Sequence, residues 1–145
     1  MGLVQRLLTP STWVIGVLAL GLGVAFYQGI SQPTRKTIVD VAVPTLSAAA
    51  LGGQALFAQN CAACHGMNGS GSDKGPPLIH DIYNPGHHSD ISFHRAAQYG
   101  VQQHHWSFGN MPPQPQVTEK QVDEIVLYIR ELQVANDIRY RPHRM

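Results

Sequence analysis

The chain has 145 residues, 43% of them hydrophobic and 13% charged, enough for one small domain of about 100 residues beside a hydrophobic N-terminal segment. Ten Lys plus Arg against nine Asp plus Glu argue against a nucleic-acid partner, which calls for a clustered cationic surface. The charge is uneven. Between Ser47 and Ala135 the acidic side chains outnumber the basic ones, whereas 136–145 turns basic through Arg139, Arg141 and Arg144 and reads as a solvated tail.

Residues 1–12 read as a short cytoplasmic N-terminus. From Leu7 through Thr34 no residue is charged, and 13–30 is mainly apolar. At about 1.5 Å per residue that stretch rises roughly 27 Å, against a hydrocarbon core of about 30 Å. Its Val, Ile, Leu and Phe side chains favour insertion by about 3 to 5 kcal/mol. The expectation is a transmembrane anchor with Trp13 and Tyr27 as interfacial aromatics and Pro10 and Pro33 as brackets. A cleaved signal peptide is the competing reading, with Gly23 and Ala25 as small residues at a cleavage site. Gly21, Ala25 and Gly29 recur every four residues; that stripe either admits a second helix closely or reflects the frequency of glycine in membrane helices.

Residues 31–46 are expected to be a periplasmic linker. As a tether the segment would reach about 50 Å, but the run Thr37–Val43 is too β-branched for a flexible Gly/Ser tether. It is equally suited to lying against a partner or the following domain. That domain, 47–135, opens with an Ala-rich helix from Ser47 to Asn60, Ser47 being a suitable N-cap.

Cys61-Ala62-Ala63-Cys64-His65 contains both cysteines of the chain. Two thiols one helical turn apart suit addition to the two vinyl groups of a porphyrin, and the adjoining imidazole then serves as proximal iron ligand. A redox dithiol would want a βαβ setting, and a structural zinc site would want a fourth ligand. Haem attachment of this kind is made outside the bacterial cytoplasm, so the domain is expected on the periplasmic side of the inner membrane. Further on, a helix is predicted from Ser89 or Asp90 to just before Gly100, and another from a Thr118–Gln121 capping box, with Val122, Ile125, Ile129 and Leu132 on one side.

Gly53, Phe57 and Cys61 follow one another at intervals of four, and in this the chain resembles class I (monohaem) cytochromes c. The resemblance implies that the glycine lets the C-terminal helix cross closely, with Tyr128 as that helix's aromatic. It also implies that Pro76-Pro77-Leu78 supports His65. The implied fold is all-α, a small cytochrome c fold of three to five helices around one covalent haem c, preceded by the transmembrane helix.

Of the four methionines, Met1 and Met145 are terminal and Met67 stands too close to His65 to reach across the macrocycle. Met111, in Gly109-Asn110-Met111-Pro112-Pro113, sits in a Met-Pro setting that resembles the family's distal ligand loop; a core-filling role is the bland alternative. The eight histidines are unusual. Several of His80, His87, His88, His94, His104 and His105 are expected at the surface. His104 or His105 is an alternative axial ligand, and His87, His88, His104 and His105 are candidates for a second metal such as copper. Trp106 and Tyr99 are candidates for packing against the haem or bonding a propionate, with burial in the core as the alternative.

Nothing recommends an enzyme: no nucleophile with its base and no carboxylate pair stands out. The expected function is single-electron transfer between periplasmic-side redox partners, expected to be integral membrane complexes, as carrier or as subunit of a respiratory or photosynthetic complex. The alternatives are a copper-handling or metal-responsive cytochrome and a small-molecule-binding haem protein.

Overall fold

The computed structural model describes residues 10–30 and 38–142, with side chains over 13–27 and 38–142. The arm before Pro10, the segment 31–37 with Pro33, Arg35 and Lys36, and His143 lie outside the described residues. The chain divides into two compact units, Met1–Arg35 and Lys36–Met145.

The first unit contains α1 (Pro10–Ile30), which begins on a proline, the residue whose missing N–H is harmless in a first turn. The side chains described, 13–27, are all exposed. They cover a rise of about 21 Å, and among the described residues no helix is long and apolar enough to cross a membrane. The expected span over 13–30 is thus not found among the described residues.

The second unit is framed by two crossing helices. In α2 (Ala48–Asn60) the Ser47 hydroxyl accepts the Ala50 N–H, and Glu131 accepts both the Ser47 N–H at 3.0 Å and its hydroxyl at 2.6 Å. α5 (Glu119–Ala135) opens on the expected capping box between Thr118 and Gln121. At the crossing, a methyl group on Gly53 would fall 1.9 Å from the Glu124 carbonyl oxygen, so this approach requires glycine. Phe57 and Tyr128 meet one turn further on, with ring centroids 5.7 Å apart. Val122, Ile125, Ile129 and Leu132 are buried as their spacing predicts.

Between these helices lie the single turn α3 (Ala62–His65) and α4 (Asp90–Tyr99), with tight turns at Met67–Gly69 and Asp81–Tyr83. Arg130 fastens α4 to α5: its Nε donates to Asp90 at 2.8 Å, and its guanidinium lies 5.0 Å over the Phe93 ring. His94 and Asp123 form a second tie at 3.0 Å. Among the described residues there are no strands, only one antiparallel bridge between Val101 and Met111.

Both ends of this unit depart from expectation. From Ile38 onward the linker is bound rather than free: the Val39 N–H donates to Ser70 O at 2.8 Å, and the Asn136 amide both accepts from and donates to the Ala42 backbone. Val39 and Val41 pack on the core because extended residues alternate faces. The C-terminal tail is not simply solvated, since Ile138 belongs to the core and Arg141 pairs with Asp81 at 3.1 Å. Its basic composition concealed one apolar residue with a place to bury.

Candidate haem site

Cys61 ends α2 and begins α3, so the helix and the motif share one residue. The His65 N–H donates to Cys61 O at 2.9 Å, and Gly66 then leaves the helix at φ 72°. The loop that follows folds back on the motif. The Ser72 hydroxyl donates to Cys64 O, and Gly75 approaches so closely that a methyl there would stand 2.8 Å from the same oxygen. Asn68 holds φ 56° under a 2.7 Å hydrogen bond donated by the Tyr128 hydroxyl to its Oδ1.

His65 Nδ1 lies 2.9 Å from the Pro76 carbonyl. A carbonyl only accepts, so the proton sits on Nδ1 and the Nε2 lone pair is left for a metal. Burial holds the His65 pKa below the usual imidazole value, and the Pro76 contact opposes this in part. Burial likewise pushes the Cys61 thiol up to about 11, with Cys64 adding to the effect.

His65, Cys61 and Met111 all line one cavity of about 350 Å³, whose walls include Phe57, Leu78, Phe93 and Ile125. Met111 reaches it from the loop 101–111, closed by the bridge to Val101. Trp106 also lines the cavity, and its buried Nε1 has no hydrogen-bond partner. Tyr83 stands at the same wall, its phenol raised to about 12 by burial, with the Trp106 N–H pulling weakly the other way. Among the described residues no acceptor stands in hydrogen-bonding geometry to the indole N–H, which leaves it available to a porphyrin carboxylate. An apolar slot lined by Cys61 of the Cys61-X-X-Cys64-His65 motif, an imidazole, a thioether and an indole N–H together fit a haem.

The other candidates are distributed unevenly. His104 lines the cavity, with its Nδ1 2.9 Å from Gln102 O, whereas His105 stays outside the lining. His87, His88 and His105 come together, one ring nitrogen from each lying within 4.8 Å of the others; His104 is not part of that set, although its ring lies 4.3 Å from that of His105. Burial lowers the pKa of both His88 and His105, and their imidazole neighbours lower it further. His80 caps the Asp81–Tyr83 turn and meets Trp106 edge-on. Tyr99, a candidate for haem contact or for the core, is 70% exposed and does not line the cavity. Met67 is exposed, in keeping with its exclusion as a ligand.

The cavity uses residues that the sequence reading passed over, among them Tyr83, Arg95, Gln103 and Phe108. One signal was available: Phe93, Ala96, Ala97 and Gly100 all line the cavity, and their spacing of i, i+3, i+4 and i+7 marks a single helix face with small residues at its end.

Residues 50–133 match the family Cytochrome c. No curated protein and no solved structure matches the chain. The family match covers more than half of the chain and contains both halves of the α2–α5 crossing together with the Cys61-X-X-Cys64-His65 pattern for covalent haem c. The chain belongs to the cytochrome c family and is a haem c electron-transfer protein.

Proposed function

We propose that this protein is a membrane-anchored monohaem cytochrome that relays single electrons between redox partners on the periplasmic side of a bacterial inner membrane. Cys61 and Cys64 would hold the porphyrin, and His65 and Met111 would supply the iron ligands. The observation that carries this reading is the shared apolar cavity of His65 and Met111, each fixed by backbone: His65 through Pro76 O, Met111 through its bridge to Val101. When bound, the haem supplies a one-electron ferric/ferrous couple.

The chain's own residues tune and protect that couple. A thioether opposite an imidazole favours ferrous iron over what a second imidazole would give, and raises the potential. Met111 would also occupy the iron site that a small molecule needs, which works against the small-molecule-binding alternative. Phe57, Leu78, Phe93 and Ile125 keep water from the site, and the Pro76 contact holds the His65 ring in one orientation. Anchoring is supported by the charge-free run Leu7–Thr34 and by the helix Pro10–Ile30 that occupies most of it.

Expression of the full chain in a bacterium that matures c-type haem tests both parts. The haem protein is expected in the membrane fraction after an alkaline wash, titrating reversibly with one electron and inert to carbon monoxide when reduced. Release by the wash contradicts the anchor, and rapid carbon monoxide binding contradicts the closed sixth position.

A further inference from the structure

Three imidazoles outside the haem chemistry converge from two loops. His87 and His88 follow the Asp81–Tyr83 turn, and His105 comes from the loop that ends in Met111. His87 Nε2 and His105 Nε2 are 3.0 Å apart, and a ring nitrogen of His88 completes a set within 4.8 Å. Two imidazole nitrogens bound to one ion at about 2.0–2.1 Å stand about 2.9 Å apart at a right angle and about 3.3 Å apart at the tetrahedral angle. The observed separation already lies in that range. A direct imidazole–imidazole hydrogen bond would also give 3.0 Å, but it needs no third ring and no preset tautomer, and both are found.

His88 Nδ1 lies 2.7 Å from the Ile82 carbonyl, which places its proton on Nδ1 and leaves Nε2 as a lone-pair donor. This is how metal-binding imidazoles are oriented by their outer partners. The backbone carrying the pair is held independently of any ion. The Asn84 carbonyl accepts the His87 and His88 N–H groups at 3.0 and 2.9 Å, Asn84 Oδ1 accepts the Gly86 N–H, and Arg130 donates to the carbonyls of Tyr83 and His88. On the other side, Asn110 Oδ1 accepts the Gln103 N–H at 3.0 Å and Gln103 Oε1 accepts the Gly109 N–H at 2.9 Å. Two pre-braced loops present nitrogen ligands to a common point, and among the described residues no carboxylate or thiolate belongs to the group.

We propose that His87, His88 and His105 bind one divalent transition-metal ion of the copper–zinc class, with copper(II) held most tightly and a fourth position left for water. An all-imidazole set suits copper, nickel and zinc, and the ordinary affinity order places copper(II) above both. The ion would cross-link the His87-His88 turn to the loop bearing Met111. Because His88 also lines the haem cavity, a bound dication there would oppose ferric haem and raise the potential; this last consequence rests on the axial assignment proposed above, whereas the binding site does not.

The test uses the full-length, untagged holoprotein in detergent, titrated with copper(II) and separately with zinc(II). Calorimetry is expected to show one equivalent of copper(II) per chain, and electron paramagnetic resonance to show imidazole nitrogens on the copper. His87→Gln and His105→Gln should each weaken copper by more than about 100-fold, beyond the ~10–100-fold that losing an outer partner costs, with the haem absorption unchanged. Zinc, which cannot itself change oxidation state, should raise the haem potential in the wild type and not in either variant. Absence of stoichiometric copper in the wild type, a copper signal without nitrogen ligands, or undiminished binding in both variants overturns the site. Failure of copper binding with a normal haem spectrum and one-electron titration overturns this inference and leaves the electron-transfer reading intact.

Discussion

Val101 and Met111 are joined twice, the Val101 N–H donating to Met111 O at 3.0 Å and the Met111 N–H to Val101 O at 2.9 Å. The residue proposed as distal ligand is therefore positioned by its own backbone. Gly100 makes the bridge possible: it holds φ 74°, and a methyl group there would fall 2.4 Å from Met111 O. Gly100→Ala is expected to cost about 1–3 kcal/mol in strain and to loosen Met111. Thermal unfolding of the holoprotein checks the first effect, and ease of carbon monoxide binding to the reduced form checks the second.

The α2–α5 crossing gives a paired prediction. Gly53→Ala sets a methyl group against the backbone of Glu124, which cannot yield without separating the helices, and should destabilise by about 1–3 kcal/mol or more. Gly52→Ala meets only the movable end of the Glu124 side chain, at 2.9 Å, and should be nearly neutral. Denaturant midpoints of the two variants compare them directly. Equal effects would show that the crossing is not held by this contact.

Part of this crossing was legible from residue spacing, because Val122, Ile125, Ile129 and Leu132 recur on one helix face, whereas the roles of Gly53, Phe57 and Tyr128 came from the family resemblance. The helix ends were legible too: Ser47 and Thr118 cap their helices through their side chains and Gly100 ends α4 at φ 74°, while Ser89 begins α4 without a side-chain cap. What spacing could not show was convergence between loops. His87 and His105 are separated by α4, and only the folded backbone decides that they meet while His94, between them in sequence, pairs with Asp123. Ile138 was missed for a related reason: a single apolar residue in a basic tail has no period, yet the Gln133 carbonyl receives its N–H at 2.8 Å and the core receives its side chain.

Tyr128 links the C-terminal helix to the haem-motif loop through one hydrogen bond, donated to Asn68 Oδ1 at 2.7 Å. Tyr128→Phe keeps the ring against Phe57 and removes the bond, for an expected loss of about 1 kcal/mol. Asn68, at φ 56°, loses the contact that holds it in a left-handed conformation. Amide exchange in Met67–Gly69 should quicken more than in α2.

Glu131 supplies a pH dependence of stated sign. Its hydrogen bonds from Ser47 hold its carboxyl below the usual carboxylate range. A depressed folded-state pKa contributes stability above the unfolded pKa, and that contribution is lost as pH falls through the folded value. Glu131→Gln should therefore lower the melting temperature slightly at neutral pH and flatten its decline on acidification below about pH 4.3. The effect is small because the carboxylate is exposed to solvent.

The central claim is that Met111 ligates the haem iron opposite His65. Sulfur bound to ferric haem produces a weak long-wavelength charge-transfer band, so the absorption spectrum of the oxidised holoprotein tests the claim most directly. The account predicts the band in the wild type and in His104→Gln and His105→Gln, and its loss in Met111→Ala with the covalent haem retained. A haem-loaded wild type without the band, or a band that survives Met111→Ala, would contradict it.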